Sequence, residues 1–331
     1  MYNLLLCGVG KRGSIVNVLK NSLQNDGKVI AVDTDNTEPA LYIADKGYIV
    51  PRFDNYQYID IIVDICEKES IKAIIAFNEK EISTLSVNKE RFKEKGVILL
   101  LPSFDTIQQC IDKYSMYNIL NDNMINTIHT YLTKDEITIA LEKKKLAYPL
   151  FAKSRYSTGY IGSKIILSHS ELDHILRLSD DLIFQEYMQN CVEVDADLYV
   201  DPLSKKVVAI FTKLIVESKN GGVSKAISFH DDRLFHTIQN INELFDFSGP
   251  INMDFFCLKG IYYLAEINLR FGSKYVHAYG AGVDFVPLMK NNIDNIVNNA
   301  DIGNYEKNIV MMKYNEVVIK KQNDLIWTKY S

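Results

Sequence analysis

Two acidic residues lie at equal distances from a glycine in the last third of the chain. Asp254 precedes Gly260 and Glu266 follows it, within two apolar runs joined by Lys259-Gly260. If the runs form a hairpin about this glycine, the two carboxylates lie nearly opposite each other across the strands. Two carboxylates at that distance repel each other unless a cation lies between them. The pair therefore predicts a cation site.

Asn268 and Arg270 extend this pattern along the second run. Alternate residues of a strand share one face, so both lie on the side of Glu266. Mg²⁺ prefers hard oxygen ligands and takes one or two carboxylates together with phosphate oxygens. A guanidinium on the same face can bind a phosphoryl group during transfer. We therefore predict a magnesium site at Asp254, Glu266 and Asn268, with Arg270 as a catalytic cation. The alternative is an exposed hairpin with scattered charges.

A glycine-rich motif follows the first apolar run. Gly8, Gly10 and Gly13 match G-x-G-x-x-G after a predicted strand, and Asp33 ends the next predicted strand, as in dinucleotide-binding folds. A tight turn from strand to helix also favours glycine for structural reasons. We interpret the loop as architectural, or as one wall of a substrate pocket. An NAD(P)-binding oxidoreductase that uses this loop, or a non-catalytic nucleotide-binding module, remains an alternative.

The composition narrows the class of protein. The chain has 331 residues, 47% of them hydrophobic and 24% charged, which is typical of a globular protein with two or three packed units. The net charge of −5 gives no reason to expect nucleic acid or an anionic membrane as a partner. The cysteines are scattered and form no CxxC pair, and no apolar run is long enough to span a bilayer. We expect a cytoplasmic protein in a reducing environment.

Two patterns of elements divide the chain. Over the first hundred or so residues, short apolar runs alternate with helical patterns, which predicts a parallel sheet covered by helices. Residues 103–122 have the spacing of one helix, with Asp105 as a capping residue. After Leu146 short strand-like segments dominate, which predicts an α+β region.

The segment Glu266-x-Asn268-x-Arg270, after a hairpin that carries an acid, resembles the metal-binding segment of the ATP-grasp superfamily. Upstream motifs resemble the rest of that family's nucleotide site, in the same order. Lys113 resembles the lysine at the start of the helix that leads into the grasp domain, and Lys153 resembles the phosphate-binding lysine at the end of a strand. The resemblance further implies a phosphate-covering loop, an adenine-binding linker and a ribose-binding acid, at Ser157, Thr158, Gly159, Glu186, Tyr187, Met188 and Glu193.

The resemblance implies a fold and an activity. The fold is an α/β parallel-sheet domain, pre-ATP-grasp and Rossmann-like, at residues 1–105, followed by a two-lobed ATP-grasp domain with lobes at residues 106–185 and 186–331. The activity is that of a carbamoyl-phosphate-synthase-like single-grasp ligase, which uses ATP and Mg²⁺, or Mn²⁺ as a substitute. Such an enzyme converts a small-molecule carboxylate into an acyl phosphate and transfers the acyl group to an amine. A homodimer through the N-terminal unit is a further family expectation.

Four residues near these motifs need a separate interpretation. Ser154 and Arg155 follow Lys153 where the family often has proline and small residues, so Arg155 is a candidate for an additional phosphate contact. In similar enzymes the region of Lys213 lies near the acceptor, which makes this lysine a candidate for offsetting charge on the acyl phosphate. The alternative is a solvated lysine. For His277 a structural role is favoured over that of a general base.

Overall fold

The computed structural model describes residues 1–156, 163–177, 181–219 and 222–326. Within these ranges the chain forms three β-sheets, one parallel and two antiparallel, with helices packed against them. Among the helices formed by the described residues, none has the length and apolar character needed to cross a lipid bilayer.

The first sheet is parallel and lies at the N-terminus. Its strand order is β3-β2-β1-β4-β5. Each residue from Leu4 to Cys7 is buried, because helices cover both faces of the sheet, and this explains the unbroken apolar run in the sequence. The strands are β1 Asn3–Cys7, β2 Val29–Asp33, β3 Lys46–Ile49, β4 Ile71–Ala76 and β5 Ile98–Leu99.

The chain order gives this sheet a topological switch point between β1 and β4. From β1 the chain continues to β2 and β3 on one side, and it then returns to β4 and β5 on the other side. The connections after β1 and β4 therefore diverge, which leaves a crevice at the carboxyl ends of these strands. The helices of this part are α1 Gly13–Leu23, α2 Ala40–Ile43, α3 Tyr58–Lys68, α4 Glu79–Val87, α5 Lys89–Glu94, α6 Phe104–Ile111 and α7 Lys113–Asp122.

The prediction of one helix over residues 103–122 was wrong. Asp112 has extended backbone angles (φ −82°, ψ 97°) and separates α6 from α7. Its side chain accepts hydrogen bonds from the backbone N–H groups of Tyr114 and Ser115, at 3.1 and 3.3 Å. An aspartate can satisfy the free N–H groups of a new helix in this way, so a cap replaces continuous helix. Ser103, and not Asp105, caps α6.

The second sheet is a small antiparallel one, with strand order β6-β9-β7-β8. A separate apolar cluster that includes Ile137, Leu150 and Phe184 lies beneath it. Its strands are β6 Thr130–Tyr131, β7 Leu150–Ser154, β8 Lys164–Ile166 and β9 Leu182–Glu186, and its helices are α8 Lys134–Glu142 and α9 His169–Leu176.

The third sheet is antiparallel, with strand order β14-β13-β10-β11-β12-β15. Its apolar side chains join those of the first sheet, since Leu4, Tyr199 and Phe271 belong to one buried cluster. The predicted fold class is thus confirmed. The strands are β10 Val192–Val200, β11 Val207–Lys219, β12 Gly222–Phe229, β13 Gly249–Leu258, β14 Ile261–Asn268 and β15 Val310–Met312, and the helices are α10 Asp232–Asn242, α11 Tyr275–Gly280 and α12 Val286–Ile293.

Both predicted domain limits fall inside secondary-structure elements. The limit after residue 105 lies within α6, and the limit after residue 185 lies within β9. The connections that separate the sheets run between β5 and α6 and between β9 and β10.

Candidate active site

The hairpin that carries the two acids forms as the sequence predicted. Asp254 and Glu266 are direct partners across β13 and β14, and Asn252 and Asn268 are partners two positions further along the same strands. Lys259 and Gly260 both have positive φ, at 52° and 80°. A two-residue turn with positive φ at both positions matches the right-handed twist of the strands and sets the register from Leu258–Ile261 to Phe255–Leu264. A register shift between Phe255 and Asp254 then places Glu266, and not Ala265, opposite Asp254.

Hydrogen bonds hold the polar side chains of the hairpin together. Asn268 Nδ2 donates to Asp254 Oδ2 at 3.0 Å and to Asn252 Oδ1 at 3.2 Å. Arg270 Nη2 donates to Asn268 Oδ1 at 2.9 Å, and Arg270 Nη1 donates to the Phe271 carbonyl oxygen at 3.1 Å. The predicted metal ligands and the predicted catalytic arginine thus lie in one connected group.

The charge distribution at the hairpin suits a divalent cation. Burial, together with the neighbouring carboxylates of Asp195 and Glu266, raises the pKa of Asp254 to about 7, while Lys274 and Arg270 act in the opposite direction. Within the described residues, no group of three or more His, Cys, Asp and Glu side chains could hold a metal by itself. Two opposed carboxylates with an adjacent amide fit Mg²⁺, which completes its coordination with phosphate oxygens.

Two lysines from other parts of the chain approach the same hairpin. Lys113, the first residue of α7, is 7% exposed, and its Nζ lies 3.9 Å from Glu266 Oε1. Lys153 lies on β7, where burial lowers the pKa of its ammonium group to about 8; Glu266 opposes this shift and Lys113 adds to it. Ammonium groups beside two opposed carboxylates that could hold a cation are suited to a polyphosphate.

The residues predicted to bind adenine and ribose lie where β9 of the second sheet leads into β10 of the third. Glu186 ends β9 and is exposed, whereas Tyr187 and Met188 are half-buried in the connection to β10. The Tyr187 ring stacks on Phe151 with centroids 6.4 Å apart. Glu193 is exposed on β10, on the same face as Asp195 because the two residues alternate along the strand.

The predicted phosphate-covering loop follows Arg155 in the sequence. Ser157, Thr158 and Gly159 lie outside the described residues. Arg155, immediately before this loop, forms an ion pair with Asp112, in which Arg155 Nε lies 2.7 Å from Asp112 Oδ1. The Arg155 carbonyl oxygen also accepts from Lys113 N at 3.2 Å. Arg155 therefore connects the strand of Lys153 to the helix of Lys113.

The structure places Lys213 inside the third sheet. Its side chain has no exposed surface, so the alternative of a solvated lysine is wrong. Lys213 Nζ lies 2.9 Å from Asp195 Oδ1 and also contacts Asp197 Oδ2. The Lys213 ammonium group is thus paired with two buried carboxylates. Apart from their alternation along one strand, nothing in the sequence indicates that Asp195 and Asp197 belong to the site.

His277 is buried, and its contacts are with the surrounding core and backbone. The residue is 3% exposed, its Nε2 lies 2.9 Å from the Ile309 carbonyl oxygen, and its ring packs edge-on against Phe211. Burial lowers the pKa of His277, which keeps the imidazole neutral.

The glycine-rich loop of the first sheet has packing reasons for its glycines. A Cβ on Gly8 would overlap Glu81 Oε2, and a Cβ on Gly13 would overlap Ile43 Cδ1. The Gly10 N–H donates to Asp33 Oδ2 at 2.8 Å. In a dinucleotide site such N–H groups are free to bind the pyrophosphate. Here a carboxylate already occupies one of them, which supports the architectural interpretation.

Comparisons with known proteins agree with this arrangement. A model of the PylC-like N-terminal domain matches residues 4–100. The carbamoyl phosphate synthase arginine-specific large chain of Geobacillus stearothermophilus is 22% identical over 267 residues, which is 75% of this chain and 24% of that protein. The corresponding large chain of Bacillus subtilis is 24% identical over 263 residues, 74% of this chain and 24% of that protein. The chain thus spans about a quarter of the length of these relatives.

Solved structures share the fold over nearly the whole chain. N5-carboxyaminoimidazole synthetase from Staphylococcus aureus, complexed with ADP, has a TM-score of 0.75 and 16% identity, and the match covers 95% of this chain and 82% of that one. The biotin carboxylase domain of the Hydrogenobacter thermophilus 2-oxoglutarate carboxylase, in complex with MgADP, ADP and bicarbonate, has a TM-score of 0.72 and 16% identity, with coverage of 93% and 73%. The chain therefore shares its fold with these solved structures, and its first hundred residues match the model of a PylC-like N-terminal domain.

Proposed function

We propose that the chain is an ATP- and Mg²⁺-dependent ligase that activates a small-molecule carboxylate as an acyl phosphate and joins it to an amine. One observation carries this proposal: the directly opposed pair Asp254 and Glu266 faces Lys113, whose Nζ lies 3.9 Å from Glu266 Oε1. Opposed carboxylates next to cationic side chains are the arrangement required to hold a metal–triphosphate complex.

Each part of the nucleotide has a suitable group. Lys113 and Lys153 offset the negative charge of the triphosphate. The half-buried Tyr187 and Met188 offer an apolar contact for adenine, and the exposed carboxylate of Glu193 can accept hydrogen bonds from the ribose hydroxyls. Mg²⁺, or Mn²⁺ in its place, would be held by Asp254, Glu266 and Asn268 and would offset charge on the phosphate oxygens.

The proposed reaction has two steps. An oxygen of the substrate carboxylate attacks the γ-phosphorus of ATP, the bond from this phosphorus to the β–γ bridging oxygen breaks, and ADP leaves. Arg270 stabilises the charge on the transferred phosphoryl group. The nitrogen of an uncharged amine then attacks the acyl carbon, phosphate leaves, and the amine loses a proton to solvent. Relatives named carbamoyl phosphate synthase and solved structures with bound ADP support this type of chemistry.

ADP release tests the proposal. Wild-type protein is assayed with ATP and Mg²⁺ against a panel of carboxylates and amines, with Glu266→Ala as the blank and Glu243→Ala, at an exposed position on a remote helix end, as the matched control. We expect one carboxylate and amine pair to stimulate ADP release in the wild type and the control only. Equal release by Glu266→Ala would contradict the assigned site.

Nucleotide binding separates the proposal from its alternatives. In thermal melts we expect stabilisation by ATP with Mg²⁺ and none by NAD⁺ or NADP⁺. Stabilisation by a dinucleotide alone would favour an oxidoreductase. Stabilisation by ATP without stimulated ADP release across the panel would favour a non-catalytic nucleotide-binding module.

A further inference from the structure

Residues 314–320, which follow β15, form neither helix nor strand nor turn. Before this segment, Lys313 N donates to the Ser224 carbonyl oxygen at 2.8 Å, which holds the start of the segment against the edge of the third sheet. After it, Ile326 N donates to the Tyr42 hydroxyl at 3.1 Å, so the chain returns to the N-terminal domain. Because both flanks are held, the segment loses less conformational freedom when a partner binds it.

The backbone of the 314–320 segment is unpaired, and its apolar side chains face solvent. In the part of the chain that the structure describes, no hydrogen bond is recorded for the backbone N–H and C=O groups of these residues. The side chains of Val317 and Ile319 are 82% and 86% exposed. β-branched residues favour strands, and an unpaired backbone that carries them is a template for pairing with another chain. The segment is therefore suited to form a strand with a partner.

The order of charged and apolar residues favours a second copy of this chain as the partner. Residues 316–320 read Glu-Val-Val-Ile-Lys. When two copies run antiparallel with Val318 at the centre, Glu316 lies opposite the partner's Lys320, and Val317 lies opposite the partner's Ile319. The two-fold symmetry of such a dimer makes each of these pairs occur twice. Cross-strand pairs of opposite charge and pairs of apolar side chains both stabilise strand pairing.

Other pairings of the same two segments lack this match. A parallel pairing in register places Glu316 opposite the partner's Glu316, and like charges directly opposite each other destabilise a sheet. An antiparallel pairing shifted by one residue places a charged side chain opposite an apolar one, either Glu316 opposite the partner's Ile319 or Lys320 opposite the partner's Val317. The sequence is thus self-complementary in the antiparallel register centred on Val318.

The two charged residues of the segment contact uncharged groups of their own chain. Glu316 Oε1 accepts a hydrogen bond from the Tyr314 hydroxyl, and Lys320 Nζ lies 5.7 Å from the centroid of the Tyr42 ring. Among the residues that the structure describes, no ion pair of Glu316 or Lys320 is recorded. A carboxylate accepts several hydrogen bonds and an ammonium group donates three, so both side chains keep the capacity to form an ion pair across the dimer.

We propose that residues 314–320 of two copies of this chain pair as antiparallel strands and form a two-fold symmetric dimer. This interface lies on the segment that follows the third sheet, so it differs from the homodimer through the N-terminal unit that the family resemblance implies. It is also independent of the proposed ligase function, because none of the residues assigned to ATP, metal or catalysis lies in the segment.

Sedimentation velocity of the full chain over a wide range of protein concentration tests this interface. We expect the wild type to show a concentration-dependent equilibrium between monomer and dimer. Glu316→Lys and Lys320→Glu each place like charges opposite each other at both symmetric positions, so each variant should form its own dimer about tenfold or more weakly. The controls Glu90→Lys and Lys93→Glu make the same changes of charge at side chains that are 76% and 74% exposed, and they should dimerise as the wild type does.

A mixture of the two segment variants tests the register. In a heterodimer of Glu316→Lys with Lys320→Glu, each lysine again lies opposite a glutamate, so the mixture should dimerise with an affinity close to that of the wild type. A mixture that dimerises no more strongly than either variant alone would overturn the antiparallel pairing.

Two further outcomes would also overturn the proposal. If both single variants dimerised as the wild type does, the dimer interface would lie elsewhere on the chain. If the wild type remained a monomer at every concentration, the segment would be left to a different protein. Thermal melts that match the wild type verify that each variant is folded.

Discussion

Asp195 lies directly opposite Asp254 on the neighbouring strand, so a buried carboxylate lies beside the hairpin that carries Asp254 and Glu266. Asp195 also pairs with Lys213 on β11, and Asp254 also pairs with Glu266 on β14. One row of charged side chains therefore crosses four strands. Since Lys213 offsets the charge of Asp195, the sheet can place Asp254 next to it without excessive repulsion.

The first prediction concerns Lys213. Lys213→Met removes the ammonium group that pairs with Asp195 and Asp197, each 1% exposed, and leaves Asp195 only the more distant Lys274, whose Nζ lies 3.5 Å away. Breaking a buried ion pair by removing one member typically costs about 3–5 kcal/mol of unfolding free energy. We expect a loss of this size in urea unfolding at neutral pH.

Lys205→Met is the matched variant, because it removes the same charge from an exposed ion pair instead of a buried one. Lys205 pairs with Asp246 at the surface, where the two side chains are 45% and 51% exposed. Lys205→Met should therefore change the unfolding free energy by less than about 1 kcal/mol. If Lys213→Met were as mild as Lys205→Met, the buried row would not have the electrostatic role assigned to it.

The second prediction concerns the metal-binding pair. Glu266→Gln retains the size of the side chain but removes one of the two opposed charges. We expect ADP release to fall by about a hundredfold or more, since loss of a metal ligand removes several kcal/mol of transition-state stabilisation. Raising the Mg²⁺ concentration should restore part of the activity. Full activity at low Mg²⁺ would show that Glu266 binds no metal.

The third prediction concerns Lys153. Lys153→Met removes one of the two ammonium groups near Glu266, and we expect ATP to bind about tenfold to a hundredfold more weakly. Lys164→Met is the matched control, because Lys164 is exposed on the adjacent strand of the same sheet. Isothermal titration with an ATP analogue and Mg²⁺ measures both. Similar affinities in the two variants would remove Lys153 from the nucleotide site.

The sequence predicts those parts of the site that depend on local geometry. The hairpin about Lys259-Gly260 follows from a two-residue turn, and the buried run of β1 follows from an unbroken apolar stretch. Both features are set by residues close in the chain, so spacing and alternation are enough to find them. The register shift that places Glu266 opposite Asp254 has no such local signal.

The missed contacts depend on the order of strands in the folded sheets. Asp195 meets Asp254 only because β10 pairs with β13, and Phe77, after β4, stacks on Phe271, after β14, only because the first and third sheets share one apolar cluster. No periodicity within one segment specifies such pairings between distant segments. The break at Asp112 was missed for a different reason, since the helical spacing continues across a residue that caps the next helix.

The last prediction concerns Glu81 in the N-terminal domain. Burial raises the pKa of Glu81 from 4.5 to about 7, while a hydrogen bond from the Tyr58 hydroxyl acts in the opposite direction. Between these two pH values the folded protein holds the proton that the unfolded chain has lost. The stability that protonated Glu81 contributes is therefore fully present below about pH 4.5 and is lost as the pH rises through about 7.

Glu81→Gln should remove this dependence, because the amide retains the acceptor for Tyr58 and has no charge to bury. We expect the variant to gain up to about 3 kcal/mol in unfolding free energy relative to wild type between pH 5 and pH 8. Urea unfolding at both pH values measures the difference, with Glu90→Gln, whose side chain is 76% exposed, as the control. A stability difference that is the same at the two pH values would show that Glu81 is ionised in the folded protein throughout this range.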